Sequence, residues 1–97
     1  MRVHWTDAAI KNLVAVYEYI ADDSPYSART VVDRLTRRSE QLAIFPESGR
    51  IVPEYGRPDI RELIEYSYRI LYRIKPHQVD ILNVVHGAKP LAPDSLG

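Results

Sequence analysis

The sequence predicts an α+β fold, with an N-terminal strand, a helical hairpin and then a mainly antiparallel sheet packed on the helices. Two observations carry this. Apolar residues recur at helical spacing between residues 7 and 43, whereas β-like alternation dominates from residue 60 to residue 86. The helical and strand-like regions are therefore segregated along the chain, the arrangement of an α+β layer pair. A third observation bounds the answer: 97 residues suffice for one domain and not comfortably for two. The predicted unit is residues 1–89, followed by a flexible tail over 90–97 that contains two prolines.

Arg2-Val3-His4-Trp5 alternates, with Val3 and Trp5 on one side, and reads as the first strand. Thr6 follows as a helix N-cap, with Asp7 in the first turn where the helix dipole favours negative charge. Ile10, Leu13, Val14, Tyr17, Ile20 and Ala21 then recur as an apolar stripe. Asp22-Asp23-Ser24-Pro25 ends this helix and starts the next, since Ser24 can cap and proline suits the first helical position. Ala28, Val31, Val32, Leu35, Leu42 and Ala43 form the apolar face of the second helix. Arg34, Arg37 and Arg38 could be read as a basic patch, but with Asp33 and Glu40 beside them a solvated helix surface is the plainer reading.

Phe45-Pro46 closes the helical region, because the residue before proline is pushed out of helical geometry. A turn through Gly49 leads to a brief strand at Ile51-Val52, cut short by Pro53, and residues 54–59 read as loop. Ile60 to Glu65 forms the third strand, with Arg61 and Leu63 on one face and Glu62 and Ile64 on the other. Tyr68 to Ile74 forms the fourth, with Tyr68, Ile70, Tyr72 and Ile74 on the core face and Arg69, Leu71 and Arg73 opposite. Their connection, Glu65-Tyr66-Ser67-Tyr68, lacks the Asn-Gly or Asp-Gly that would pin a hairpin register. Val79 to His86 is the fifth strand. One face of this sheet should meet the helices, and the other is expected to lie open and to carry the function.

Composition excludes several classes. No run of about 18 apolar residues is present to span a membrane. There is no cysteine, hence neither disulfide nor thiolate zinc site, and His4, His77 and His86 have no metal-ligand spacing, so neither metal nor cofactor is expected. The formal net charge is zero, whereas proteins that live on nucleic acid carry a basic excess. Residues 50–89 hold seven Lys/Arg against five Asp/Glu, too small a bias for a nucleic-acid footprint.

Several segments taken together are similar to the ParE/RelE superfamily of bacterial toxin–antitoxin systems, and more specifically to ParE-type toxins. They are Trp5-Thr6, the link before Pro25, Leu42-Ala-Ile-Phe-Pro46-Glu-Ser-Gly49-Arg50, Arg61-Glu62-Leu63, Tyr68 to Ile74, and Val84-Val85-His86-Gly87-Ala88-Lys89. The resemblance covers nearly the whole chain. It implies a cytoplasmic toxin of growth arrest and plasmid stabilization, neutralised by a cognate ParD-like antitoxin, as a homodimer or within a toxin–antitoxin hetero-oligomer. ParE relatives poison DNA gyrase; RelE relatives cut messenger RNA on the ribosome.

The two activities ask different things of the residues. Cleavage by 2′-hydroxyl attack needs a base, cations around the phosphate and a proton donor. The resemblance would assign that work to Arg61, Arg69, His86 and Lys89. Glu62 and Glu65 flank Arg61 where phosphate would be repelled, and beyond Lys89 the chain has no Tyr, His or Arg. The favoured reading is therefore a gyrase inhibitor that acts by binding, with no direct nucleic-acid contact. Its partner-binding surface is Arg61, Arg69, Leu71, Arg73, His86 and Lys89. His86 can equally be structural, ending a strand before Gly87. An inactive homologue serving only as antitoxin partner and co-repressor is the third reading.

Overall fold

The computed structural model describes residues 1–87 and Leu91. Strand β1 (Arg2–Trp5) leads into helices α1 (Asp7–Ala21) and α2 (Pro25–Glu40), the second running on into a 3-10 turn at Gln41–Ala43. Strands β2 (Arg50–Ile51), β3 (Ile60–Glu65), β4 (Tyr68–Ile74) and β5 (Gln78–His86) follow. They form one sheet in the order β1-β5-β4-β3-β2, in which β1 runs parallel to β5 and every other pair is antiparallel. Lys89 and, apart from Leu91, residues 90–97 lie outside the described residues. Among the described residues no helix is long and apolar enough to cross a membrane.

The caps behave as the sequence predicts, and one does more. Thr6 Oγ1 accepts a bond from the Ala9 amide at 3.2 Å and donates to the Ile81 carbonyl at 2.8 Å, so one hydroxyl both starts α1 and fastens it to β5. Ser24 caps α2 through the Ser27 amide, with Pro25 next in line. The Thr6 attachment sets the rotational phase of α1. Ala9, Leu13 and Val16 turn to the sheet, while Ile10 and Val14, expected in the stripe, stay 48% and 49% exposed. The small Ala9 lets the helix come close.

The core between helices and sheet gathers Leu35 and Leu42 against Leu63, Ile70, Tyr72, Val79, Ile81 and Val84, as the alternation on β3 and β4 requires. In β5 the alternation breaks. Leu71 pairs with Asn83 and Tyr72 with Ile81, so Leu82 is an inserted residue. Leu82 and Val85 thereby join the outer face and Val84 the inner. Asn83 sits at the break, its Oδ1 accepting from Asn12 of α1 at 2.5 Å.

The outer face is not open. Val52, Ile60, Leu71, Leu82 and Val85 form a second buried cluster, with Tyr55 and Leu91 packed on it. Leu71, expected at a surface, is 0% exposed. The segment 52–59, of which residues 54–59 read as plain loop, supplies the cover. Val52 leaves the brief strand to do so, which shifts β2 one residue earlier than the sequence suggests.

Tyr72 anchors the other end of that strand. It is wholly buried, its hydroxyl donating to the Pro46 carbonyl at 2.8 Å and accepting from the Gly49 amide at 2.9 Å, and burial raises its pKa. A Cβ at Gly49 would stand 2.5 Å from both the Glu62 carbonyl and that hydroxyl, so only glycine fits. Tyr72→Phe strands the Gly49 amide and should lower unfolding free energy by about 1–3 kcal/mol. Gly49→Ala should cost more than Tyr72→Phe, because the added methyl meets backbone. Urea denaturation of the two variants checks the ranking.

Candidate functional site

The sequence singled out the alternate side chains of β4 and the end of β5, and the structure separates them into three groups. Arg69 lies on the outer face beside Glu62 of β3, whose side chain is fully buried. Its Nε donates to Glu62 Oε1 at 2.5 Å, and its two terminal nitrogens grip both oxygens of Glu54 at 2.8 and 2.9 Å. The second Glu62 oxygen is held by Arg50 Nε from β2. Two arginines and two glutamates thus close a neutral quartet across β2, β3, β4 and the 52–59 segment. The bonds from Arg69 lower the Glu54 pKa from 4.5 to about 2, and the same bonds raise that of Arg69.

Arg61 points to the helix side and ties the chain before β2 to that after it. It donates to the Pro58 carbonyl at 2.9 Å, the Gly49 carbonyl at 3.1 Å and, more weakly, the Glu47 carbonyl at 3.5 Å. Arg73 is half-buried with Nε 3.9 Å from Asp59, and Asp59 is itself gripped by Arg57. Leu71 is core. Lys89 lies outside the described residues.

Of the candidate residues, Arg69 and His86 meet at one cleft, of about 360 Å³ and lined also by Arg50, Ile64, Tyr66, Ser67, Tyr68 and Gly87. His86 is exposed at the end of β5, its ring edge-on to Tyr68 with centroids 5.6 Å apart. The Gly87 amide bonds the Ser67 carbonyl at 2.6 Å, which joins the end of β5 to the β3–β4 turn and shapes the cleft floor. Arg61, Leu71 and Arg73 do not line it.

Chemically, the cleft presents an imidazole, the two phenols of Tyr66 and Tyr68, and an exposed arginine, Arg50. Arg69, which the nuclease reading would set against phosphate, is already held by two carboxylates. Sequence reasoning missed Arg50, Glu54 and the role of Glu62. A signal existed for Glu62: a two-residue turn at Tyr66-Ser67 pairs Ile64 with Arg69, which puts Glu62 and Arg69 on the same face one step apart. No signal existed for Glu54, which reaches Arg69 from a loop.

The family model for the ParE toxin of type II toxin–antitoxin systems matches residues 3–91. The chain belongs to that family. Toxin RelE2 of Caulobacter vibrioides is 33% identical over 89 residues, covering 91% of this chain and 97% of that protein. The Sinorhizobium fredii protein Y4kP is 39% identical over 88 residues, covering 88% and 86%. Among solved structures, the chromosomal ParDE toxin–antitoxin system of P. aeruginosa contains a chain with the same fold. Its TM-score is 0.73 at 24% identity, covering 89% of this chain and 95% of that one. A ParE-family toxin with a strand, a helical hairpin and a mainly antiparallel sheet is thus what both pattern and coordinates describe.

Two predictions follow from the quartet. Glu54 is charged in the folded state at pH values where the unfolded chain is already protonated. Its contribution is present above about pH 4.5 and is lost as pH falls towards 2. Glu54→Gln should therefore flatten the acid limb of the stability curve in that window, as read by chemical denaturation at stepped pH. Arg69→Met removes the main partner of a buried carboxylate and should cost about 3–5 kcal/mol, whereas Arg69→Met with Glu62→Met should recover a large part of it. Equal losses in the single and double variants would contradict the assignment.

Proposed function

We propose that this ParE-family toxin acts by binding a protein target, with DNA gyrase the target that its resemblance implies, and that an antitoxin neutralises it. The observation that carries the reading is the state of Arg69. Phosphoryl chemistry needs guanidinium charge turned towards the substrate. Arg69 instead has one face on Glu62 and the other on Glu54, bonds that must break before any phosphate could be held. The zero net charge gives no long-range attraction for RNA either. The antitoxin partner is supported by the family and by the fold shared with a ParDE system.

The ribonuclease reading retains one observation in its favour: His86 beside Tyr68 at the mouth of the same cleft. A histidine and a phenol could exchange protons with a substrate there. The two readings part in a direct assay. Purified toxin should inhibit gyrase supercoiling and accumulate cleaved DNA, with the effect reversed by the antitoxin. Intact gyrase activity at large molar excess, together with cut messenger RNA on translating ribosomes, would overturn the binding mechanism in favour of the nuclease.

A further inference from the structure

Tyr66 occupies a backbone conformation that its side chain does not favour. It is the first residue of the two-residue turn between β3 and β4, and among the described residues it is the one non-glycine at positive φ, 53°. Such turn positions suit glycine, asparagine or aspartate, and an aromatic residue there is strained. The ring contributes to neither buried cluster and stays 48% exposed. The Arg34 guanidinium of α2 stands 5.1 Å over its centroid, which steadies the ring without burying it. Strain at an exposed aromatic residue is the mark of a group held out for something other than folding.

What lies beside it defines the ligand. Tyr66 forms part of the cleft with Ile64, itself 47% exposed, and with Arg50, whose side chain is 61% exposed. Arg50 commits Nε to Glu62, and so exposed a guanidinium is a donor that a carboxylate at the rim can reach. Among the described residues, arginine, histidine, serine and tyrosine line the cleft, and no carboxylate does. An apolar wall with a cationic rim fits a peptide that offers an apolar side chain beside an acidic one. It fits a polynucleotide poorly, because Arg69, the second guanidinium of the lining, is committed to Glu62 and Glu54 and not to a phosphate.

We propose that the cleft framed by Tyr66, Ile64 and Arg50 is the docking site for an acidic, amphipathic segment of the neutralising antitoxin, which inserts an apolar side chain against Tyr66 and sets a carboxylate on Arg50. The inference rests on the function proposed above and names where and by what chemistry neutralisation occurs. Tyrosine and arginine at such a pocket are the residue types that dominate interface energetics.

The test uses the full chain and the antitoxin encoded beside it, with affinity from calorimetric titration and stability from thermal unfolding. Tyr66→Asn relieves the backbone, so the variant should melt no lower than the parent and yet bind the antitoxin about tenfold or more weakly. Tyr66→Phe keeps the ring and should keep most of the affinity. Arg50→Gln should weaken binding and reduce its salt dependence. Unchanged affinity in Tyr66→Asn overturns the site, and so does loss of the toxin's effect on its target with antitoxin affinity intact, which would make the cleft a target surface. A parent chain that forms no complex with that antitoxin overturns the neutralisation reading itself.

Discussion

The outer half of this molecule depends on one buried carboxylate. Glu62 lies in the middle of β3 with its side chain removed from water. A charge in that position is tolerated only when it is paired and its oxygens are bonded. Arg50 from one neighbouring strand and Arg69 from the other supply those bonds, so the pairing of β2, β3 and β4 and the satisfaction of Glu62 are the same event. Arg69 then has two nitrogens left, and Glu54 takes both. That second grip holds the 52–59 segment down, and Val52 and Tyr55 from it close over Leu71, Leu82 and Val85. A polar network thus places an apolar cover that propensity alone would not form, since a short segment with Pro53, Gly56 and Pro58 has little structure of its own.

The inner half solves the same difficulty without charge pairing. The chain between α2 and β2 carries no long ladder, and β2 contributes only two residues. Its position comes from Tyr72, whose hydroxyl closes on Pro46 and Gly49, and from Arg61, which bonds carbonyls on both sides of β2. A side chain from β4 and one from β3 therefore set the edge strand from the helix side, while the Arg50–Glu62 bond sets it from the other. Register in so short a strand is fixed by these anchors more than by backbone pairing.

Much of this was legible. Alternation gave β3 and β4 with their faces, Thr6 and Ser24 gave the helix starts, and the ordered segments led to the family that the comparisons bear out. What stayed hidden shares one cause: it depends on contacts between elements whose relative position no local pattern encodes. The phase of α1 follows from Thr6 reaching Ile81, across most of the chain. The inserted Leu82 disturbs an alternation that a run of β-branched residues makes hard to see. Tyr66 in a left-handed turn contradicts the preference by which such a turn would be recognised. The closed outer face was hidden for the same reason, because Glu54 is anonymous in a loop until Arg69 lies beside it.

Arg69 shows how neighbours decide what a strand arginine does. An arginine on an outward-pointing strand position looks like surface charge. Two neighbouring glutamates turn it into a structural group while its position in the strand is unchanged. With Arg50, Arg69, Glu54 and Glu62 forming a neutral set, the field around the cleft is short-ranged, and steering of a distant ligand is weak. Recognition at the proposed docking surface then rests on close contact: the strained tyrosine, the exposed isoleucine, and whatever hydrogen-bonding capacity Arg50 has left. Contact recognition of that kind discriminates through shape and desolvation and acts chiefly on how long a complex lasts. For the neutralisation proposed above, a slow dissociation rate matters more than a fast encounter.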